Sequence, residues 1–150
     1  MTVKVRTIEL KIPSEHGYEK MAMQVAAELA EMMGFTSERV EDLRTAVSEA
    51  CINAMEHGNT LDGATKVFVV MTADDDRLAI DVIDEGHSGP PPTEIVAPDL
   101  EAQFAGLLPP GGMGLFVIKS LVDEAEFVPP DLGVGNQFRM VIHLQTEGDV

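Results

Sequence analysis

Apolar and polar positions recur along this chain with two periods, near two where strands are expected and near three and a half where helices are. Val3 to Ile12 alternates as a strand, with a change of phase between Val5 and Ile8 that predicts a frayed or bulged beginning. His16 to Met33 carries Met21, Val25, Leu29 and Met32 at helical spacing, as core filler, and stops at Gly34. The next helix places Val40, Leu43, Val47, Ala50 and Ala54 in a three/four rhythm. Ser37 is its expected cap with Glu38 in the first turn, while His57 and Gly58 suit the negative pole and a left-handed position just past the end.

Lys66 to Ala73 and Arg77 to Asp84 alternate as a hairpin through Asp74-Asp75-Asp76, a charge run read as a solvated turn rather than a metal site. In its second strand Leu78, Ile80, Val82 and Asp84 share one parity, so Asp84 points where core residues point. A carboxylate buried there without a partner would cost several kcal/mol. An adenine amino group is one candidate partner; the other reading is a strand that ends in an exposed turn at Asp84-Glu85-Gly86.

His87 to Gly111 follows, 25 residues carrying six of the nine prolines. A connection so long and so rich in proline resists regular structure, and it reads as a functional lid or a partly disordered segment, with Phe104, Leu107 and Leu108 anchoring it. Gly111-Gly112-Met113-Gly114 then runs straight into the apolar helix Leu115 to Val122. Glycines at a helix start let backbone N–H groups approach and cradle an anion without side-chain charge. The segment has neither the Gly-Lys-Ser/Thr ending of a P-loop nor the context of a dinucleotide fingerprint. Asp123 to Val128 and Gln137 to Leu144 supply further strands, the last with Phe138, Met140, Ile142 and Leu144 on one face.

Composition narrows the function classes. With 26 acidic against 10 basic residues, a formal charge of −16, the surface disfavours nucleic acid and suits a basic protein partner. The 150 residues suffice for one domain, expected to span 1–150. No apolar run is long enough to cross a bilayer and no leader is visible, so a cytoplasmic protein without membrane contact is expected. The one cysteine, Cys51, fits a reducing compartment and a small core position. His16, His87 and His143 have no motif around them and read as surface residues.

The sharpest chemistry lies in the second helix, where Glu49 and Asn53 stand four residues apart, one turn from each other and off the apolar stripe. Alone, that pair is also what a solvated helix face would show. With Asp84-Glu85-Gly86 and the glycine run in this order, however, it resembles the nucleotide-binding boxes of the GHKL (Bergerat-fold) ATPases. Glu49 to Asn53 with Ala54 and His57 is similar to the N box, Asp84-Glu85-Gly86 to the adenine box, Gly112-Met113-Gly114-Leu115 to the phosphate box, and Gly135-Asn136-Gln137-Phe138-Arg139 stands in the place of the last box. Glu-Ala-x-x-Asn-Ala-x-x-His-Gly and Gly-Gly-x-Gly-Leu-x-x-Ile most resemble the anti-sigma serine/threonine kinases. The likeness spans roughly Ile8 to Leu144.

That resemblance implies an α/β (α+β) two-layer sandwich, a mixed and mostly antiparallel sheet covered on one face by helices, with an ATP lid at about 87–111. It implies Glu49 as general base and Asn53 as Mg²⁺ ligand. His57, Asp84, Gly86, Gly111, Gly112, Met113, Gly114, Leu115, Asn136 and Gln137 would join Asn53 in binding ATP. The implied partners are a sigma factor and an anti-sigma-antagonist of the STAS type, with a homodimer as the assembly and control of transcription under stress as the outcome. Three departures accompany the match: Ser88 stands where a second adenine-box glycine is usual, the last box has Asn136-Gln137 in place of threonine, and no Lys or Arg occurs between Arg77 and Lys119. A lid without a basic residue favours the alternative, a nucleotide-dependent binding module of the same fold without kinase turnover.

Overall fold

The computed structural model describes residues 4–86, 112–131, 133 and 135–145, with backbone alone at 112 and 113. Among these residues the order is β1 (Arg6–Pro13), α1 (Glu19–Met33), α2 (Ser37–Asn53), β2 (Lys66–Ala73), β3 (Arg77–Ile83), α3 (Gly112–Leu121), β4 (Glu124–Val128) and β5 (Gln137–His143). One π turn, Ala54–Gly58, prolongs α2. The sheet runs β1-β2-β3-β5-β4. Every described pairing is antiparallel, which sharpens the expected mostly antiparallel sheet. The reason is topological: β3 and β4 point the same way, but β5 returns between them, so no parallel pair forms.

Strand alternation sets the layers. Ile12, Val69, Ile80 and Met140 face the helices and join Ala26, Val47 and Ile118 in one core. The helix α2 lies between α1 and α3 and touches both. Phe68, Val70, Asp81, Gln137 and Arg139 take the other parity and the other face. Two of them, Asp81 and Gln137, are nevertheless buried.

Four local expectations change. The β1 register is unbroken from Arg6↔Ala73 to Pro13↔Lys66, so the phase change marks only Val5, outside the strand and 58% exposed, and no bulge forms. Helix α1 starts at Glu19, later than His16, because Gly17 turns at φ +108° and donates its N–H to Glu19 Oε2 at 2.6 Å. Its buried line is Ala22, Ala26, Leu29 and Ala30, leaving Met21 and Met32 exposed; small alanines let α1 approach α2 closely, and methionines at those places would hold it off. The α2 cap is Thr36, in extended conformation with its Oγ1 accepting from Arg39 N at 3.2 Å, while Ser37 is already helical.

The opposite end of α2 departs as well. Gly58 has no left-handed φ; the helix widens into the π turn, closed by Asn59 N–H to Ala54 O at 2.8 Å. The chain then reverses through Thr60 and Leu61, at φ +50° and +55°. Asp74-Asp75-Asp76 forms the expected turn between β2 and β3, with Asp74 N–H bonded to Arg77 O at 3.0 Å. The segment read as the lid, with Phe104, Leu107, Leu108, Ser88 and His87, lies outside the described residues.

Candidate functional site

Helix α2 presents Glu49 and Asn53 one turn apart, beside the first turn of α3. A Cβ on Gly114 would sit 3.0 Å from Glu49 Oε2 and 3.3 Å from Asn53 Nδ2. Glycine is what lets the α3 backbone come down on this pair. Glu49 makes no hydrogen bond or ion pair to another described residue. Asn53 Nδ2 is buried and has no hydrogen-bond partner, the one such side-chain atom among the described residues. A buried, unsatisfied amide costs free energy, and such a group needs an explanation.

Beyond Asn53, the π turn carries the chain toward the end of β3. Asp84 follows Val82 by two residues, keeps the helix-facing parity and is 7% exposed. Its Oδ1 accepts from Gly86 N at 2.8 Å and Asn136 N at 3.0 Å, and its Oδ2 from Asn136 Nδ2 at 3.3 Å. The predicted buried carboxylate thus finds partners in its own chain. Three glycines make room around it. A Cβ on Gly135 would fall 1.9 Å from Asp84 O, and one on Gly86 would fall 2.7 Å from Gly135 Cα, both at positive φ. Gly58 touches the carboxylate directly.

The structure brings Glu49, Asn53 and Gly114 together at one end, and Asp84, Gly86 and Asn136 at the other. Leu115 lies half-buried in the first turn of α3, which begins at Gly112; Gly111 and the side chain of Met113 fall outside the description. Two of the anticipated residues stand apart. His57 is exposed in the π turn and makes no hydrogen bond among the described residues. Gln137 pairs with Ile83, so its side chain takes the sheet face opposite to Asp84. There it bonds Asp81 Oδ1 at 3.1 Å and Asp131 Oδ2 at 3.0 Å, while Arg139 Nε also reaches Asp81 Oδ1, at 2.8 Å. A one-residue step along a strand separates Asn136 from Gln137 and sends them to opposite sides.

Sequence reading missed Asn59, a wholly buried side chain that bonds Glu85 N, next to Asp84. An asparagine after a helix-ending glycine reads as a turn residue, and no local signal reveals its distant partners. Gly135 is visible in the sequence only as part of a motif; its close approach to Asp84 depends on a residue 51 positions away in sequence.

The family model of the histidine kinase-like ATPase domain matches residues 12–142. The serine-protein kinase RsbW of Bacillus velezensis is 34% identical over 128 residues, 84% of this chain and 80% of the relative. Its namesake in Bacillus pumilus is 37% identical over 130 residues, again 84% and 80%. A solved structure of the RsbU and RsbW domains of a Mycobacterium tuberculosis protein superposes with a TM-score of 0.64 at 18% identity, covering 93% of this chain and 32% of that one. That likeness speaks to the fold.

Proposed function

Since the chain belongs to the histidine kinase-like ATPase domain family and matches serine-protein kinases over most of its length, we propose that it transfers the terminal phosphoryl group of ATP to a protein hydroxyl. The substrate in this reading is a serine or threonine of a STAS-type anti-sigma-antagonist, and the same protein, a cytoplasmic homodimer, holds a sigma factor until the antagonist displaces it. Among the described residues no helix is long and apolar enough to cross a membrane.

The observation that carries the reading is the buried amide nitrogen of Asn53, without a hydrogen-bond partner among the described residues, beside Glu49 and the glycine-opened start of α3. Those residues fit a nucleotide with its cation. Asn53 would hold Mg²⁺ through its carboxamide oxygen, whose exchange with the nitrogen needs only a half-turn of the amide. The first N–H groups of α3 would receive phosphate oxygens. Asp84 Oδ2, whose one hydrogen bond among the described residues is the 3.3 Å contact from Asn136 Nδ2, would accept from the adenine amino group. When bound, Mg²⁺-ATP supplies the electrophilic phosphorus and the charge neutralisation. The chain's own part in the chemistry is Glu49, a carboxylate without a hydrogen bond among the described residues, which takes the hydroxyl proton as the oxygen attacks.

One observation favours a second reading. No Lys or Arg lies between Arg77 and Lys119, so the lid brings no cation to the terminal phosphate, as a nucleotide-dependent binding module without turnover would allow. The deciding experiment supplies radiolabelled ATP and the antagonist protein to the wild type and to Glu49→Gln. Kinase function requires label on the antagonist with the wild type, and a rate lower by about 10²–10⁴-fold with the variant while ATP still binds. Partner capture without any label would establish the module instead.

A further inference from the structure

Asn59 is fully buried, and its amide is fully engaged. Nδ2 donates to Ser14 Oγ at 2.8 Å and Lys66 O at 2.9 Å, and Oδ1 accepts from Glu85 N at 2.7 Å. Its own N–H closes the π turn on Ala54 O. One carboxamide therefore ties the exit of α2 to the residue after β1, the start of β2 and the turn that follows β3. With both amide hydrogens used and the group sealed from solvent, it has no donor left for a ligand.

Glu85 is held a second time, because its Oε2 accepts from Lys66 N at 2.5 Å. Asp84, its neighbour, is pinned by the N–H groups of Gly86 and Asn136. The orientation of the Asp84 carboxylate thus depends on where the 84–86 turn sits, and Asn59 fixes that turn relative to the helix carrying Glu49 and Asn53. We propose that Asn59 is a positioning residue for base recognition: it never touches the nucleotide, but it sets the place of the Asp84 acceptor against the phosphate end of the site. This rests on the ATP-site reading above.

The test compares ATP with inosine triphosphate, which has a carbonyl where ATP has its amino group and shares everything from the ribose outward. The ratio of the two Kd values reports on recognition of the base edge that Asp84 would face, where the amino group becomes a carbonyl and N1 gains a proton. Calorimetry on the wild type, Asn59→Ala and Asn59→Asp, with thermal melts alongside, gives the readout. Asn59→Ala should lower ATP affinity by about 5- to 30-fold while inosine triphosphate loses far less, so the preference for adenine collapses. Asn59→Asp keeps an acceptor for Glu85 N, loses the amide donors and buries a carboxylate oxygen against Lys66 O, so it should melt earlier yet retain the preference. It also carries the comparison if Asn59→Ala does not fold. A parallel loss for both nucleotides in Asn59→Ala, or an adenine preference lost in Asn59→Asp as well, would reduce Asn59 to a structural strut. Wild-type protein that binds neither nucleotide would defeat the ATP reading itself, a separate outcome.

Discussion

Gly58 lies so close to Asp84 that a Cβ added to it would fall 2.0 Å from Asp84 Oδ2 and 2.3 Å from the carboxyl carbon. A glycine that looks like an ordinary helix stop is thus the floor under the carboxylate. The π turn explains how it gets there: one wider turn after Asn53 swings residue 58 from the helix axis toward the end of β3.

Gly58→Ala should accordingly act on the nucleotide through Asp84. Since φ at Gly58 is not left-handed, backbone strain is absent and the steric conflict stands alone. Overpacking of this kind costs about 1–3 kcal/mol of stability, and the displaced carboxylate should weaken ATP as well. A denaturant melt and an ATP titration on the same variant check both. Unchanged ATP affinity would separate Gly58 from the site.

Asp84→Asn keeps the volume and removes the charge. In the wild type Oδ1 receives two backbone N–H groups, and an amide placed there must turn its oxygen toward them and leave NH₂ at the Oδ2 position. That NH₂ would oppose an adenine amino group donor to donor. A loss of roughly 1–3 kcal/mol in ATP binding is expected, readable by calorimetry, with inosine triphosphate affected less.

These two residues also mark how much of the molecule can be read from the chain. Asp84 was legible because strand parity reports side-chain direction without knowledge of the partner strand. Glu49 and Asn53 were legible because helical spacing does the same. Gly58 reads as a helix stop, because sequence encodes that a glycine is present, whereas its need here comes from a side chain 26 positions away. Gln137 takes the sheet face opposite to Asp84, since a motif fixes neighbours in sequence but not which face each takes. Met21 and Met32 misled because hydropathy ranks methionine above alanine, while the close approach of α1 to α2 selects alanine.

Cys51 gives a pH prediction of definite sign. Full burial, with a smaller contribution from the charge of Glu19, pushes its thiol from 9.0 up to about 12. Above pH 9 the unfolded chain releases this proton while the folded chain keeps it, so the stability tied to the buried thiol is intact below pH 9 and is lost as pH rises toward 12. Cys51→Ala should flatten that part of the stability profile. Native protein should also resist alkylation by iodoacetamide at pH 8, because so little thiolate forms and none is accessible. Rapid labelling without unfolding would contradict the burial.

Arg39 offers a test at the far end of the phosphate-side helix. Its guanidinium donates to Leu121 O at 3.0 Å and Asp123 Oδ2 at 3.3 Å, so a residue in the first turn of α2 caps the last turn of α3. The bond to a helix-terminal carbonyl is favoured by the negative pole there, and the half-exposed setting limits its worth to about 1 kcal/mol. Arg39→Met, which preserves most of the apolar stem, should therefore lower stability only modestly. Its stronger effect is expected on the seating of α3 against Glu49 and Asn53, because losing this tie frees the helix to shift along its axis. Hydrogen exchange is the suitable measurement, since amides in the final turn of α3 should exchange faster in Arg39→Met while those in α1 do not change. Acceleration spread evenly over all helices would mean that the guanidinium contributes only to global stability, and the clamp would then play no part in holding the glycine-opened end of α3 in place.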